Sequence, residues 1–147
     1  MLQPQRIGHV VLKVRDIDRS IQFYRDVLGF QVVGQMSNVM TFLTATGENH
    51  HDMALLRVGD QAPAPLPNAV GLYHVAIQLA DMDALRQAHG VLAKRGLLKG
   101  AVDHGVSRSV YTADPDGNEI ELYCDAPRSE WEGRVDEAMT VRPLRLD

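Results

Sequence analysis

The chain has a single cysteine, Cys124, so no internal disulfide framework holds it together. It has no stretch of the roughly eighteen apolar residues that a bilayer-spanning helix needs. Its first residues, MLQPQRIGHVVLKV, have neither the long uncharged core nor the small-residue cleavage site of a secretory leader. Positive charge is not in excess, since 15 Lys and Arg stand against 19 Asp and Glu for a net charge of −4. That balance leaves no electrostatic footprint for nucleic acid or for an anionic membrane surface. The expectation is a cytoplasmic protein without a nucleic-acid or membrane partner. Cys124 has no helix N-terminus or basic cluster beside it, so it reads as a strand residue and not as a nucleophile.

At 147 residues, 45% of them apolar and 23% charged, the chain is long enough to bury a core as one ordinary domain. The main feature is an internal repeat. His9-Val-Val-Leu-Lys-Val-Arg-Asp16-Ile-Asp18 aligns without a gap on His74-Val-Ala-Ile-Gln-Leu-Ala-Asp81-Met-Asp83, at a constant offset of 65 residues. Each copy reads as an alternating strand that leads into a helix start, where Asp16 or Asp81 caps the first free N–H groups.

Helices are predicted over Ile17–Leu28 and Met82–Arg95, with Gly29 and Gly96 just beyond them, where a left-handed C-cap belongs. Strands are expected at about 31–36, 39–45, 52–58, 99–103, 107–113 and 119–124. Asp114-Pro-Asp-Gly-Asn118 is a hairpin turn signal between the last two strands. The expected fold class is α+β, with two tandem βαβββ modules whose mixed sheets curl into a half-open cleft. One domain over 1–147 is expected, with module 1 at about 6–58, a proline-rich linker at 59–71, module 2 at about 72–124, and a tail at 125–147 without an assigned role.

Strand alternation then sorts the side chains. If His9 faces the cleft, so do Val11 and Lys13, while Val10, Leu12 and Val14 pack under the helices. His74, Ala76 and Gln78 behave in the same way. On the last strand, Glu121 shares a face with Glu119 and Tyr123. His9 and His74, related by the repeat, together with the inward Glu121, form a two-imidazole, one-carboxylate set. Such a facial set leaves open positions on Fe(II) or a similar ion. Metal ligation by His9, His74 and Glu121 is therefore expected.

Four motifs carry a resemblance over about residues 6–124: Gly8-His9-Val-Val-Leu, Phe23-Tyr24-Arg-Asp-Val-Leu28-Gly29-Phe30, Tyr73-His74-Val-Ala-Ile, and Asp114-Pro-Asp-Gly-Asn-Glu-Ile-Glu121-Leu. The chain resembles the vicinal oxygen chelate superfamily, which includes glyoxalase I, methylmalonyl-CoA epimerase, fosfomycin-resistance transferases, bleomycin-binding proteins and extradiol ring-cleaving dioxygenases. Glyoxalase I and the epimerase have a fourth ligand, Glu or Gln, on the last strand of the first module. Here that position falls on or near Ala54, unless the register slips by two residues and offers Asp52. The fosfomycin transferases carry a hydroxyl residue where this chain has Val11, and an arginine in a stretch where it has Glu130 and Trp131.

The extradiol dioxygenases are similar in more detail, with a histidine pair matched by His50-His51 and a His…Tyr pair matched by His104 and Tyr111. A catechol must lose protons to chelate a metal, and ring opening with O2 needs a proton returned, steps that suit a histidine titrating near neutrality. The resemblance implies that His51 is the acid–base residue, His104 a substrate hydrogen-bond partner and Tyr111 an orienting donor. The expected function is a metal-dependent extradiol dioxygenase that cleaves a catechol-type aromatic with O2. Fe(II) is the expected cofactor, with Mn(II) or another divalent metal as alternatives, and a homodimer is compatible with the family. Two other readings stay open: a glyoxalase-like lyase or isomerase, and a non-catalytic protein that sequesters a small molecule.

Overall fold

The computed structural model describes residues 1–146. The first module runs β1 (Val10–Val14), α1 (Ile17–Asp26), β2 (Gln31–Met36), β3 (Met40–Thr44) and β4 (Met53–Arg57). The second runs β5 (His74–Gln78), α2 (Met82–Lys94), β6 (Gly100–Asp103), β7 (Ser107–Ala113) and β8 (Glu119–Asp125). Both modules are βαβββ, so the fold is α+β with two tandem repeats, as the repeat predicts. A 3-10 turn (Arg128–Glu130), a short helix α3 (Val135–Ala138) and a two-residue strand β9 (Arg142–Pro143) follow.

The chain divides into two compact units, one of Met1–Ala69 with Asp114–Asn118, the other of Val70–Ala113 with the chain from Glu119 onward. The first contains a four-stranded sheet in the order β1-β4-β3-β2, and the second a five-stranded sheet in the order β5-β8-β7-β6-β9. In each, the first and last strands of the module pair in parallel while the remaining pairs of the module are antiparallel. That mixed arrangement follows from the helix that carries the chain across between the first strand and the rest.

Each helix starts where the aspartate expects it. Asp16 Oδ1 accepts the Arg19 N–H at 2.8 Å, and Asp81 Oδ1 accepts those of Asp83 and Ala84 at 3.0 and 2.9 Å, satisfying donors that a helix N-terminus leaves free. Helix α1 ends at Asp26, two residues before the predicted Leu28, because the chain tightens beyond it and the Phe30 N–H closes onto the Tyr24 carbonyl at 2.9 Å. Gly29 and Gly96 then adopt φ values of 81° and 69°, the left-handed conformation of a helix C-cap.

Alternation sorts the strands as expected. Leu12 and Val14 on β1 are buried and pack in a core with Ile17, Ile21, Phe23, Tyr24, Leu43 and Leu55, while Val11 stays 44% exposed. In the second unit Leu85 and Leu92 of α2 meet a sheet face made of Val110, Ile120, Leu122 and Cys124, all buried. Burial pushes the Cys124 thiol up, Asp81 and Asp125 act in the same direction, and Arg108 and Arg86 only partly oppose them. The thiol is thus protonated and packed, with Met82 Sδ at 3.5 Å.

The Asp114–Asn118 turn is tied down by polar bonds inside the first unit. Asp116, 6% exposed, accepts the Arg15 backbone N–H at 3.0 Å and the guanidinium groups of Arg15 and Arg19 at 3.0 and 2.8 Å. The buried Tyr24 hydroxyl donates to Asp114 Oδ2 at 3.0 Å. The tail, given no role by the sequence, folds back on the second unit. β9 pairs antiparallel with β6, the Thr140 N–H donates to the His104 carbonyl at 2.8 Å, and that of Leu144 to Ala101 at 3.1 Å.

Candidate active site

Strand register decides which residues present chemistry. In the second unit β5 and β8 pair with Ala76 opposite Glu121 and His74 opposite Glu119, and β7 and β8 pair with Tyr111 opposite Glu121 and Ser109 opposite Tyr123. Residues directly opposite lie on one face of a sheet. One face therefore collects His74, Ser109, Tyr111, Glu119 and Glu121, and the other is the apolar face covered by α2.

Glu121 is the centre of this group and only 8% exposed. Its Oε2 lies 2.9 Å from His74 Nε2. Its Oε1 accepts the Ser109 hydroxyl at 2.5 Å and the Tyr111 hydroxyl at 3.1 Å. His104 Nε2 is 2.7 Å from the Tyr111 hydroxyl and 4.0 Å from Glu121 Oε1. Burial pushes the Tyr111 phenol up to about 12, aided by the charge of Glu121 and the hydrogen bond to it, with Ser109 opposing. Tyr111 is consequently a hydrogen-bond donor at every physiological pH.

In the first unit, His9 immediately precedes β1 and is exposed. The His51 ring stands 4.4 Å from that of His9 and 5.1 Å from Phe42, centroid to centroid. His50 Nδ1 approaches His51 Nδ1 at 2.6 Å, which requires one ring to donate and the other to accept. The His51 pKa is lowered by desolvation and by repulsion from His9 and His50, with Asp52 opposing. His51 is therefore a neutral base near pH 7.

The first module also bears on the fourth-ligand position raised by the sequence. β1 and β4 pair with Val11 opposite Ala54, the counterpart of Ala76 opposite Glu121. Ala54 thus occupies the position equivalent to Glu121, and it has no donor atom. The Asp52 carboxylate is already engaged. It accepts from Thr44 Oγ1 at 2.9 Å, the Ala45 N–H at 2.8 Å and Asn49 Nδ2 at 2.7 Å.

The structure brings His74 together with Glu121, His104 with Tyr111, and His51 with His9. Among the described residues, no three His, Cys, Asp or Glu side chains form a group that could hold a metal ion; His9 belongs to one unit, His74 and Glu121 to the other. The His74–Glu121 pair nevertheless fits a cation. An imidazole nitrogen and a buried carboxylate oxygen converge, and His74 Nδ1 is buried without a hydrogen-bond partner, with Glu119 Oε1 at 3.8 Å. A ligating histidine commonly turns its second ring nitrogen toward such a carboxylate. Two contributors escaped the sequence analysis. Ser109 carried no motif, and the tail bond to the His104 carbonyl joins residues far apart in the chain.

The chain belongs to the Glyoxalase/Bleomycin resistance protein/Dioxygenase superfamily, which it matches over residues 6–122. It is 40% identical over 130 residues to a catechol-2,3-dioxygenase of Bacillus subtilis, covering 86% of this chain and 44% of that protein. It is 38% identical over 122 residues to biphenyl-2,3-diol 1,2-dioxygenase 3 of Rhodococcus globerulus, covering 82% of this chain and 63% of that protein. The chain thus spans less than two thirds of the length of either relative. The crystal structure of a lactoylglutathione lyase from Agrobacterium tumefaciens superposes with a TM-score of 0.65 at 24% identity, over 83% of this chain and 95% of that one, a likeness of fold. No helix among the described residues is long and apolar enough to cross a membrane.

Proposed function

We propose that this chain acts as a metal-dependent extradiol dioxygenase, opening the ring of a catechol-type aromatic beside its two hydroxyls with O2. The observation that carries the reading is the hydrogen-bonded row His104–Tyr111–Glu121, joined to the absence of a donor at Ala54. A three-ligand set would leave more open positions on a bound ion than a set of four. The two relatives named above, both dioxygenases of aromatic diols, support the same reaction class.

In this reading His9, His74 and Glu121 hold the metal, Fe(II) in the first instance, with Mn(II) or another divalent ion as alternatives. When bound, it would supply Lewis acidity that favours the ionised oxygens of a diol. His51, neutral near pH 7, takes a proton from the diol and returns it as the ring opens. His104 hydrogen-bonds the substrate, and the Tyr111 hydroxyl orients it. The two units act as one domain, and two copies associate as a homodimer. A glyoxalase-like lyase, which would need a fourth ligand, is disfavoured by Ala54 and by the occupied carboxylate of Asp52.

The test is anaerobic reconstitution with Fe(II), followed by a small panel of catechols in aerated buffer. The expected result is oxygen uptake with a yellow ring-opened product, both lost in His51→Ala. Stoichiometric metal without oxygen uptake overturns the dioxygenase reading and turns the search to other metals with glutathione hemithioacetals.

A further inference from the structure

Glu121 offers two oxygens and, on an unconstrained side chain, they would exchange freely, because the terminal torsion of a glutamate is broad and two-fold. Two hydroxyls from the same face of β7, Ser109 and Tyr111, converge on Oε1. They are not equivalent. Tyr111 is also 2.7 Å from His104 Nε2, and its single phenolic proton serves one acceptor at a time. It is half-buried, and it is the group to which the proposed reaction gives a substrate contact. Ser109 is fully buried, so water does not compete for its hydroxyl. Its 2.5 Å bond is at the short end of the range for a hydroxyl on a carboxylate, the stronger class of hydrogen bond.

We infer that Ser109 is the positioning residue of the metal centre: its hydroxyl fixes Glu121 Oε1, keeps Oε2 turned toward His74 Nε2, and leaves Tyr111 able to change partner without stranding a buried carboxylate oxygen. This rests on the reading of Glu121 as a ligand. The role is local to one atom. When Tyr111 swings to a substrate, Oε1 still has a donor and the ligand oxygen does not move. Without Ser109, Tyr111 must either stay on Glu121 or leave that oxygen unpaired at a substantial desolvation cost. Carboxylate ligands held by such outer contacts typically lose about 10- to 100-fold in metal affinity when the contact is removed.

The experiment measures binding of Fe(II) under anaerobic conditions, and of Co(II) by its visible absorption, to the full chain and to Ser109→Ala, Ser109→Thr and Ser109→Val. Threonine and valine add the same methyl, so their difference isolates the hydroxyl. Alanine removes one atom and decides the matter even if the larger variants do not fold. Expected is a wild-type chain that binds metal, a loss of about 10- to 100-fold in Ser109→Ala and Ser109→Val, and recovery in Ser109→Thr, with a cooperative thermal melt in each metal-free variant. Wild-type affinity in Ser109→Ala overturns the inference and leaves the metal centre standing. A wild-type chain that takes up neither ion overturns the metal centre and this inference with it.

Discussion

Ala54 holds in the first module the position that Glu121 holds in the second: each sits on the last strand of its module, opposite Val11 and Ala76 respectively. The two modules repeat in strand order and differ in chemistry at this position. A carboxylate in the second module is matched by a methyl in the first. A difference in donor atoms is thereby written into a repeated scaffold, and the proposed count of three ligands rests on it.

Asp52→Ala tests that count directly. The Asp52 carboxylate knits the 44–52 loop through three hydrogen bonds, so its loss should lower stability by about 1–3 kcal/mol and leave metal content unchanged. Partial burial acts to raise its pKa, but the bonds from Ala45, Asn49 and Thr44 and the nearby His51 outweigh it and hold the carboxyl below the usual range. A carboxyl with a depressed folded pKa adds stability at pH values above its unfolded pKa and loses it as pH falls through the folded one. The wild-type advantage over Asp52→Ala in urea melts should therefore be full near pH 6 and shrink below about pH 4. A drop in bound metal would make Asp52 a ligand.

His74→Ala removes the nitrogen that faces Glu121 Oε2 at 2.9 Å. Bound metal, measured by elemental analysis after reconstitution, should fall to a small fraction of the wild-type value. Circular dichroism should stay native, because His74 lies at the start of β5 and off the apolar face. Unchanged metal would dismiss the assigned ligand set.

Tyr111→Phe deletes one hydroxyl that touches both Glu121 and His104 and keeps the ring. Its kcat/KM for a catechol should fall by roughly 10- to 100-fold, a loss of about 1.4–2.7 kcal/mol in transition-state binding. Metal content should hold, since Ser109 still anchors Oε1. A Phe variant as active as wild type would reduce Tyr111 to a packing residue.

Tyr24→Phe probes the turn at Asp114–Asn118. The Tyr24 hydroxyl is buried against Asp114 Oδ2, and its removal should cost about 1–2 kcal/mol in chemical denaturation. Burial, the charge of Asp114, the hydrogen bond to it and the charge of Asp116 all raise the Tyr24 phenol. Its folded pKa lies above the unfolded one near 10, so its contribution is complete below that pH and declines as pH rises past it. Alkaline absorbance titration should show one of the four tyrosines ionising only as the chain unfolds, and Tyr24→Phe should abolish that step.

Much of the site is legible in the sequence because short-range patterns encode it. Strand alternation and the five-residue turn that sets Tyr111 against Glu121 act within a few residues, and the repeat that equates His9 with His74 is a short pattern met twice, 65 residues apart. The caps at Asp16 and Asp81 belong to the same class. The His50-His51 pair stands out in the sequence only through resemblance, and only folding sets His51 against the His9 ring.

The sequence by itself determined the two βαβββ modules, the faces of their strands and the identity of the ligand candidates, because hydrophobic period and turn chemistry are local properties of the chain. The tertiary structure alone decided that the Asp52 carboxylate is committed to its own loop, that the tail pairs with β6 and bonds to the His104 carbonyl, and that an unremarked serine holds the buried oxygen of Glu121. Those outcomes depend on hydrogen bonds whose partners are set by packing and register. A serine or an aspartate carries no mark in the sequence of which acceptor or donor folding will bring to it.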